Sequence, residues 1–238
     1  MTEILVVTEG ATEREVGRVL YERRILSNQA APKPPQWRSN FGSREGFDNV
    51  VKALKDSGTI LSLRTSSNKE RLLLVFDQED AATPQDRAVL IGQELGLQFS
   101  PYQPQHYDNL FECNEPNLHV VLHVSSAEIP GINRRDFDGY ILQLLQGQNK
   151  TSLASRLSSV QATAINNVLA KAEREIPDLM QRNGFPLTHA KSRLYAYITA
   201  FQFCQSHVWF ARDVVQYADE QALRHVFASL IAAWDALI

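Results

Sequence analysis

Apolar residues recur along this chain with two periods, and the switches between them predict its elements. Ile4-Leu5-Val6-Val7 is a continuous run rich in β-branched residues, the pattern of a strand covered on both faces. It leads into Thr8-Glu9-Gly10, where glycine permits a tight turn, and then into a helical pattern. Thr12 and Glu15 have capping-box spacing, which predicts a helix that starts there, turns Val16, Val19 and Leu20 inward and ends near Ile25 to Asn28. Ala30-Ala31-Pro32-Lys33-Pro34-Pro35 cannot be helical and reads as a surface connection. Gln36 to Phe41 reads as a short second strand. Phe47, Val50, Val51 and Leu54 space an amphipathic helix over 45–56. The polar stretch from Thr59 to Arg71 reads largely as loop.

Leu72-Leu73-Leu74-Val75-Phe76 is a second clear strand, and it runs directly into Asp77-Gln78-Glu79-Asp80. Thr83-Pro84 with Asp86 then marks a helix start with proline at the first helical position. That helix carries Val89, Leu90 and Leu95 and stops around Gly96. Phe99 to Asn117, rich in aromatics and prolines, reads as irregular. His119 to Val124 is a third strand, ending in Ser125-Ser126-Ala127-Glu128. Strands and helices in alternation predict an α/β fold, a mostly parallel sheet of about four strands flanked by helices. From about Arg134 the pattern is helical only, with helices expected at Phe137 to Leu145, Leu153 to Ile176, Lys191 to Phe203 and Glu220 to Leu237. A polar hinge between Gln146 and Ser152 suggests an α/β domain over 1–147 and a helical C-terminal extension over 148–238, packed on the same core.

Composition narrows the class. At 238 residues the chain can bury a proper core. Its 44% apolar and 21% charged residues are those of a globular domain rather than a disordered or membrane chain. A net charge of -3 argues against a strongly basic nucleic-acid binder, though not against a local basic face. Cys113 and Cys204 have no paired-ligand spacing, which fits a reduced compartment. No signal peptide and no membrane span are visible, so the expected location is the cytoplasm. P-loop, dinucleotide-binding and nucleophile-elbow motifs are absent. His119 and His123 lie four apart but in a β-like run, so a zinc reading is set aside.

An acidic constellation remains. Glu9 and Glu13 follow the first strand, Asp77, Glu79 and Asp80 the central one, and Glu128 the last. Neighbouring parallel strands would open all these carboxyl ends onto one crevice, where such sheets bind ligands. Clustered carboxylates raise one another's pKa, and a divalent cation relieves that cost. Hard oxygen ligands suit magnesium or manganese, which serve phosphoryl transfer. Simpler readings stand beside this one. Glu13 is also favoured by the dipole of a helix start. Glu15 and Asp86 read as capping residues. Arg14, Arg18, Arg23 and Arg24 read as a solvated helix face, and Arg134-Arg135 as a polar helix start.

Val7-Thr8-Glu9-Gly10-Ala11-Thr12-Glu13, followed by an apolar strand that ends in Asp77-Gln78-Glu79-Asp80, resembles the Toprim domain of topoisomerases, primases and OLD-type nucleases. The resemblance implies a Toprim-like (Rossmann-like) sheet. It also implies a magnesium site in which Glu9 matches the motif glutamate, Glu13 the second glutamate and Asp77 the first aspartate. Glu79 stands where the second aspartate belongs and Asp80 follows it, so either could be that ligand. Glu128 and Lys191 resemble an accessory acid and a phosphate-contacting lysine. The activity implied is cleavage or transfer at a phosphodiester of DNA or RNA, with Glu9, Asp77 and Lys191 as catalytic residues, in DNA repair or phage defence. The alternatives are a degenerate Toprim module that binds a nucleotide or a protein partner, and a phosphohydrolase acting on a small phosphorylated metabolite. No membrane partner is expected, and a homodimer stays open.

Overall fold

The computed structural model describes residues 3–27, 34–38, 45–103, 107–158, 160–185 and 187–238. Its elements in chain order are β1 (Ile4–Thr8), α1 (Ala11–Glu22), β2 (Gln36–Arg38), α2 (Phe47–Asp56), α3 (Thr59–Arg64), β3 (Glu70–Asp77), α4 (Pro84–Leu95), β4 (Ser100–Pro101), β5 (Leu110–Asn114) and β6 (Leu118–Ser125). Helices α5 (Asp138–Gln146), α6 (Lys150–Leu157), α7 (Ile165–Ala170), α8 (Ile176–Arg182), α9 (Ala190–Ala200), α10 (His207–Tyr217), α11 (Glu220–Val226) and α12 (Ala228–Asp235) follow. The chain forms two compact units, one of Met1–Ser125 with Ala228–Ile238 and one of Ser126–Phe227. The division therefore falls at the end of β6 rather than at the polar segment 146–152, and the last helix belongs with the sheet.

The first unit is built on a six-stranded mixed sheet of order β2-β1-β3-β6-β5-β4. The four strands β2, β1, β3 and β6 run parallel, with Thr8 beside Val75 and Asp77 beside Ser125. The expected parallel core is present, but two antiparallel strands extend it to six. One of them, β5, lies inside the stretch read as irregular. It forms a hairpin with β6, closed where Glu115 N–H donates to the Leu118 carbonyl at 2.8 Å. Leu110, Phe111 and Cys113 are buried there, so packing against β6 overrides the turn-rich flanks.

Side-chain alternation along the strands splits the core between two faces. Leu72, Leu74 and Phe76 of β3 and Val120, Leu122 and Val124 of β6 pack with Val50, Val51 and Leu54 of α2, Ile60 of α3 and Ala88, Ile91 and Leu95 of α4. On the other face α12 lies against β6, where His123 Nε2 and Ser229 Oγ are 2.9 Å apart. Trp234 Nε1 of α12 also donates to the Ser27 carbonyl at 2.7 Å.

Several local expectations are corrected. Helix α1 begins one residue before Thr12, with Gly10 as a cap that makes no side-chain bond, and it ends at Glu22. Glu15 instead pairs with Arg14 at 2.9 Å and Arg18 at 3.2 Å. Gly10 is extended (φ -137°), so its role is space. A Cβ there would lie 2.9 Å from Glu13 Oε2. The segment read as loop after Thr59 contains α3 and the start of β3. On α4, Val89 and Leu90 face solvent, and Ala88 and Ile91 point inward. The helix start expected at Thr83-Pro84 and the stop expected around Gly96 are present, the first as a capping box of Thr83 with Asp86 and the second as a left-handed Gly96. Of the predicted connection and second strand, 30–33 and 39–41 lie outside the described residues.

The second unit is helical throughout its described elements. The long helix expected from Leu153 stops at Ser158, whose backbone is extended and whose N–H and Oγ both bond the Ala154 carbonyl, at 3.0 and 2.9 Å. The chain regains helical form in α7 and reaches α8 through a π turn at Lys171–Glu175, just before Pro177, whose missing N–H cannot serve a regular α turn. Helix α10 was not foreseen. The helix expected over Glu220 to Leu237 is interrupted at Phe227.

Candidate active site

The first unit brings three charged groups together at the carboxyl edge of β1 and β3. Glu9 directly follows β1, and its N–H donates to the Val75 carbonyl at 3.0 Å, continuing the ladder by one residue. Its neighbour across the ladder is thus Phe76, whose side chain packs in the core beneath α2 and α4, and Glu9 emerges on that same side. The residue is 6% exposed.

Backbone donors fix its carboxylate. The Asp77 N–H donates to Glu9 Oε2 at 3.1 Å, and the Phe47 N–H, at the first turn of α2, also favours the charged carboxylate. Burial pushes the Glu9 carboxyl above its usual range. The nearby Glu79 charge adds to this, while the two backbone donors and Arg87 pull it back.

Glu79 reaches the same place through an unusual backbone. Its φ is +55°, the left-handed region that residues other than glycine seldom enter. Arg87 of α4 completes the cluster. It is 5% exposed, and its Nη2 lies 3.5 Å from Glu9 Oε2 and 3.4 Å from Glu79 Oε2. Its Nε donates to the Asp77 carbonyl at 2.8 Å, and the guanidinium sits 4.1 Å above the centre of the Phe47 ring. A groove of about 520 Å³ opens on this cluster, and its charged lining is of both signs: Asp48, Lys52, Lys55, Glu79, Arg87 and Glu94.

The sequence-derived site residues are therefore unequally placed. Glu9 and Glu79 converge on one cationic atom. Asp77 takes part through its backbone, N–H to Glu9 and carbonyl to Arg87, and strand alternation assigns its side chain to the side of Leu73 and Val75. Glu13 is buried in the first turn of α1, beside Gly10. Asp80 is exposed.

Glu128 and Lys191 belong to the second unit. Glu128 is exposed and pairs with Arg135 at 2.6 Å. Lys191 lies in the first turn of α9. Burial, reinforced by the Asp136 charge, pushes Asp138 up to about 7, and Lys191 opposes that rise. Arg87 was missed by sequence reasoning. An arginine four residues into an amphipathic helix reads as solvated, and only its i, i+4 relation to the inward Ile91 hinted otherwise.

The carboxylate pair suits a small hard cation. Its two oxygens already converge on one positive atom, and magnesium is commonly held by one or two carboxylates, with waters and substrate phosphates completing the shell. Among the described residues no three His, Cys, Asp or Glu side chains are gathered in metal-holding geometry. His119 lies 3.4 Å from Glu112, and His123 is enclosed with Asn109 and Ser229.

Among solved structures, the chain is similar to the crystal structure of a hypothetical protein from Pyrococcus horikoshii OT3, with a TM-score of 0.57 at 12% identity over 99% of each chain. At that identity the likeness speaks for the fold alone. No family model and no curated protein matches the chain. Among the described residues no helix is long and apolar enough to cross a membrane.

Proposed function

We propose that this is a Toprim-like, magnesium- or manganese-dependent phosphodiesterase acting on DNA or RNA, with its active site at the carboxyl edge of β1 and β3. The observation that carries the reading is the convergence of Glu9 and Glu79, a buried acid and a backbone-strained one, on a single point at that edge. Strain and desolvation concentrated in one place are characteristic of sites built for chemistry. Glu9 and Glu79 would hold the ion, with Asp77 at the adjoining strand end. When bound, the ion would neutralise phosphate charge and activate water.

The chain's own residues set the stage for that chemistry. The Asp77 N–H holds the Glu9 carboxylate in one orientation beside Glu79, where it would serve as a ligand to the ion. Lys52 of the adjoining groove supplies an exposed ammonium within a lane that a phosphodiester strand could follow. Lys55 in the same lane is neutralised by Glu94 at 2.6 Å. A role in DNA repair or phage defence is part of the proposal and rests on the resemblance to OLD-type nucleases.

A second reading, a module that binds a nucleotide or protein without catalysis, is favoured by one observation: Arg87 already supplies the acids with a positive charge. Plasmid, single-stranded DNA and RNA incubated with magnesium, manganese or EDTA separate the two. Cation-dependent cleavage lost in Glu9→Gln and Glu79→Gln is the expected result. Intact substrates under every condition would sink the nuclease, and cleavage surviving both substitutions would sink the site.

A further inference from the structure

The contacts of the Arg87 guanidinium differ in kind. Nε is held by the Asp77 carbonyl at 2.8 Å, and the guanidinium stacks on the Phe47 ring at 4.1 Å. Neither partner is a group that an incoming metal ion would need. Nη2, by contrast, lies 3.5 and 3.4 Å from the Glu9 and Glu79 oxygens, longer than the roughly 2.7–2.9 Å of a well-made charge-assisted hydrogen bond. Nη2 thus lies between the two acids at a loose distance from each, on a side chain anchored elsewhere.

Resting on the reading of this edge as a cation-dependent site, we infer that Arg87 is an internal counter-cation that competes with the metal ion for Glu9 and Glu79. In the ion-free protein Nη2 compensates the two carboxylates and keeps the buried cluster stable. A divalent ion enters by displacing Nη2 from the pair, while the Asp77 carbonyl and the Phe47 ring keep the guanidinium beside the site. Arg87 therefore sets the cation concentration at which the site fills. Removing it should cost the ion-free fold stability and tighten cation binding at once. A purely structural arginine would do only the first.

Manganese binding to the full chain, followed by calorimetry and by thermal melting with and without the ion, tests this. Arg87→Met keeps much of the side-chain volume and removes the charge. It should melt lower without ion, bind manganese about tenfold more tightly than the unaltered protein, and show a larger manganese-induced rise in melting temperature. Adding Glu9→Gln to Arg87→Met should abolish the gain. Phe47→Leu removes the ring beneath the guanidinium and leaves every charge in place. It should show a smaller tightening, and it carries the test if Arg87→Met does not fold. A folded Arg87→Met or Phe47→Leu protein that binds manganese with unaltered affinity would overturn the inference while leaving the cation site standing. No manganese binding by the unaltered protein or either variant at millimolar ion would overturn the cation-dependent reading itself, and the inference with it.

Discussion

Glu79 offers a measurement in which backbone strain can be read apart from charge. At φ +55° it stands in the left-handed region, which costs an L residue roughly 1–2 kcal/mol. Glu79→Ala and Glu79→Gly both delete the carboxylate and both leave Arg87 with Glu9 as its acidic partner, so those losses cancel between them. What differs is the backbone. Glycine escapes the left-handed penalty but gives back roughly 0.5–1 kcal/mol through the greater freedom of its unfolded chain. Glu79→Gly should therefore be more stable than Glu79→Ala by about 0.5–1 kcal/mol, or about 1–4 °C in melting temperature for a chain of this size. Asp80, which is not in the left-handed region, supplies the control. There alanine should equal or exceed glycine. Urea titrations and thermal melts of the four variants decide the matter, and Glu79→Ala matching or exceeding Glu79→Gly in stability would refute the strain argument.

Three further outcomes are expected. Burial holds His123 down to about 3, so the folded protein keeps it neutral while the unfolded chain takes up a proton below its ordinary value near 6.5. Its stabilising contribution is thus complete above that value and is lost as pH falls from there toward 3, by up to about 1.4 kcal/mol per pH unit. The unaltered protein should show a steeper acid-side loss in urea midpoints than His123→Gln, and equal slopes would count against the buried neutral imidazole. Gly17→Ala would gain about 1 kcal/mol on an open helix face. Here its Cβ would meet the Trp37 ring at 2.2 and 2.5 Å, so a loss of about 1–3 kcal/mol is expected, and a higher melting temperature would disprove that packing. Thr83→Ala should cost α4 its capping box and about 1 kcal/mol, with Thr83→Ser restoring most of it, as read from the same melts.

The parallel centre of the sheet was legible because β1, β3 and β6 are apolar on both faces, and such runs need no partner to be seen. Strand β5 was not, since its five residues sit among prolines, aromatics and turn formers and gain their identity from pairing with β6. Helix breaks at Ser158 and Phe227 were hidden for a similar reason. Each is a local choice made against a periodicity that continues across it. At the site, Glu9 stood out because an acid at the end of a buried strand has little structural reason to be there. Asp77 stood out for the same reason, yet it meets Glu9 and Arg87 through its main chain, which no side-chain motif can reveal. Glu79, not the exposed Asp80, meets Arg87 beside Glu9, and it does so from a left-handed backbone that no sequence pattern announces. Arg87 was invisible because its burial depends on groups brought from β1, β3 and α2.

Two buried polar clusters in the first unit allow a comparison that bears on function. Around His123, Asn109 bonds the Val124 carbonyl at 3.0 Å and Ser229 Oγ at 3.2 Å, while Ser229 meets the imidazole at 2.9 Å. All three residues are buried, none has a left-handed backbone, and the groups tie α12 to β6. Such a network specifies packing and offers a ligand no approach. Around Glu9 the costs run the other way. An acid is desolvated, a glutamate is strained, and the arginine between them lies 3.5 and 3.4 Å from the two, beside an open groove. Buried ion pairs seldom repay their desolvation, and apolar residues of similar volume would fill the same space at least as stably. Stability alone is therefore a poor explanation for the charges at the carboxyl edge of β1 and β3, and the proposed ligand site is the reading that accounts for them.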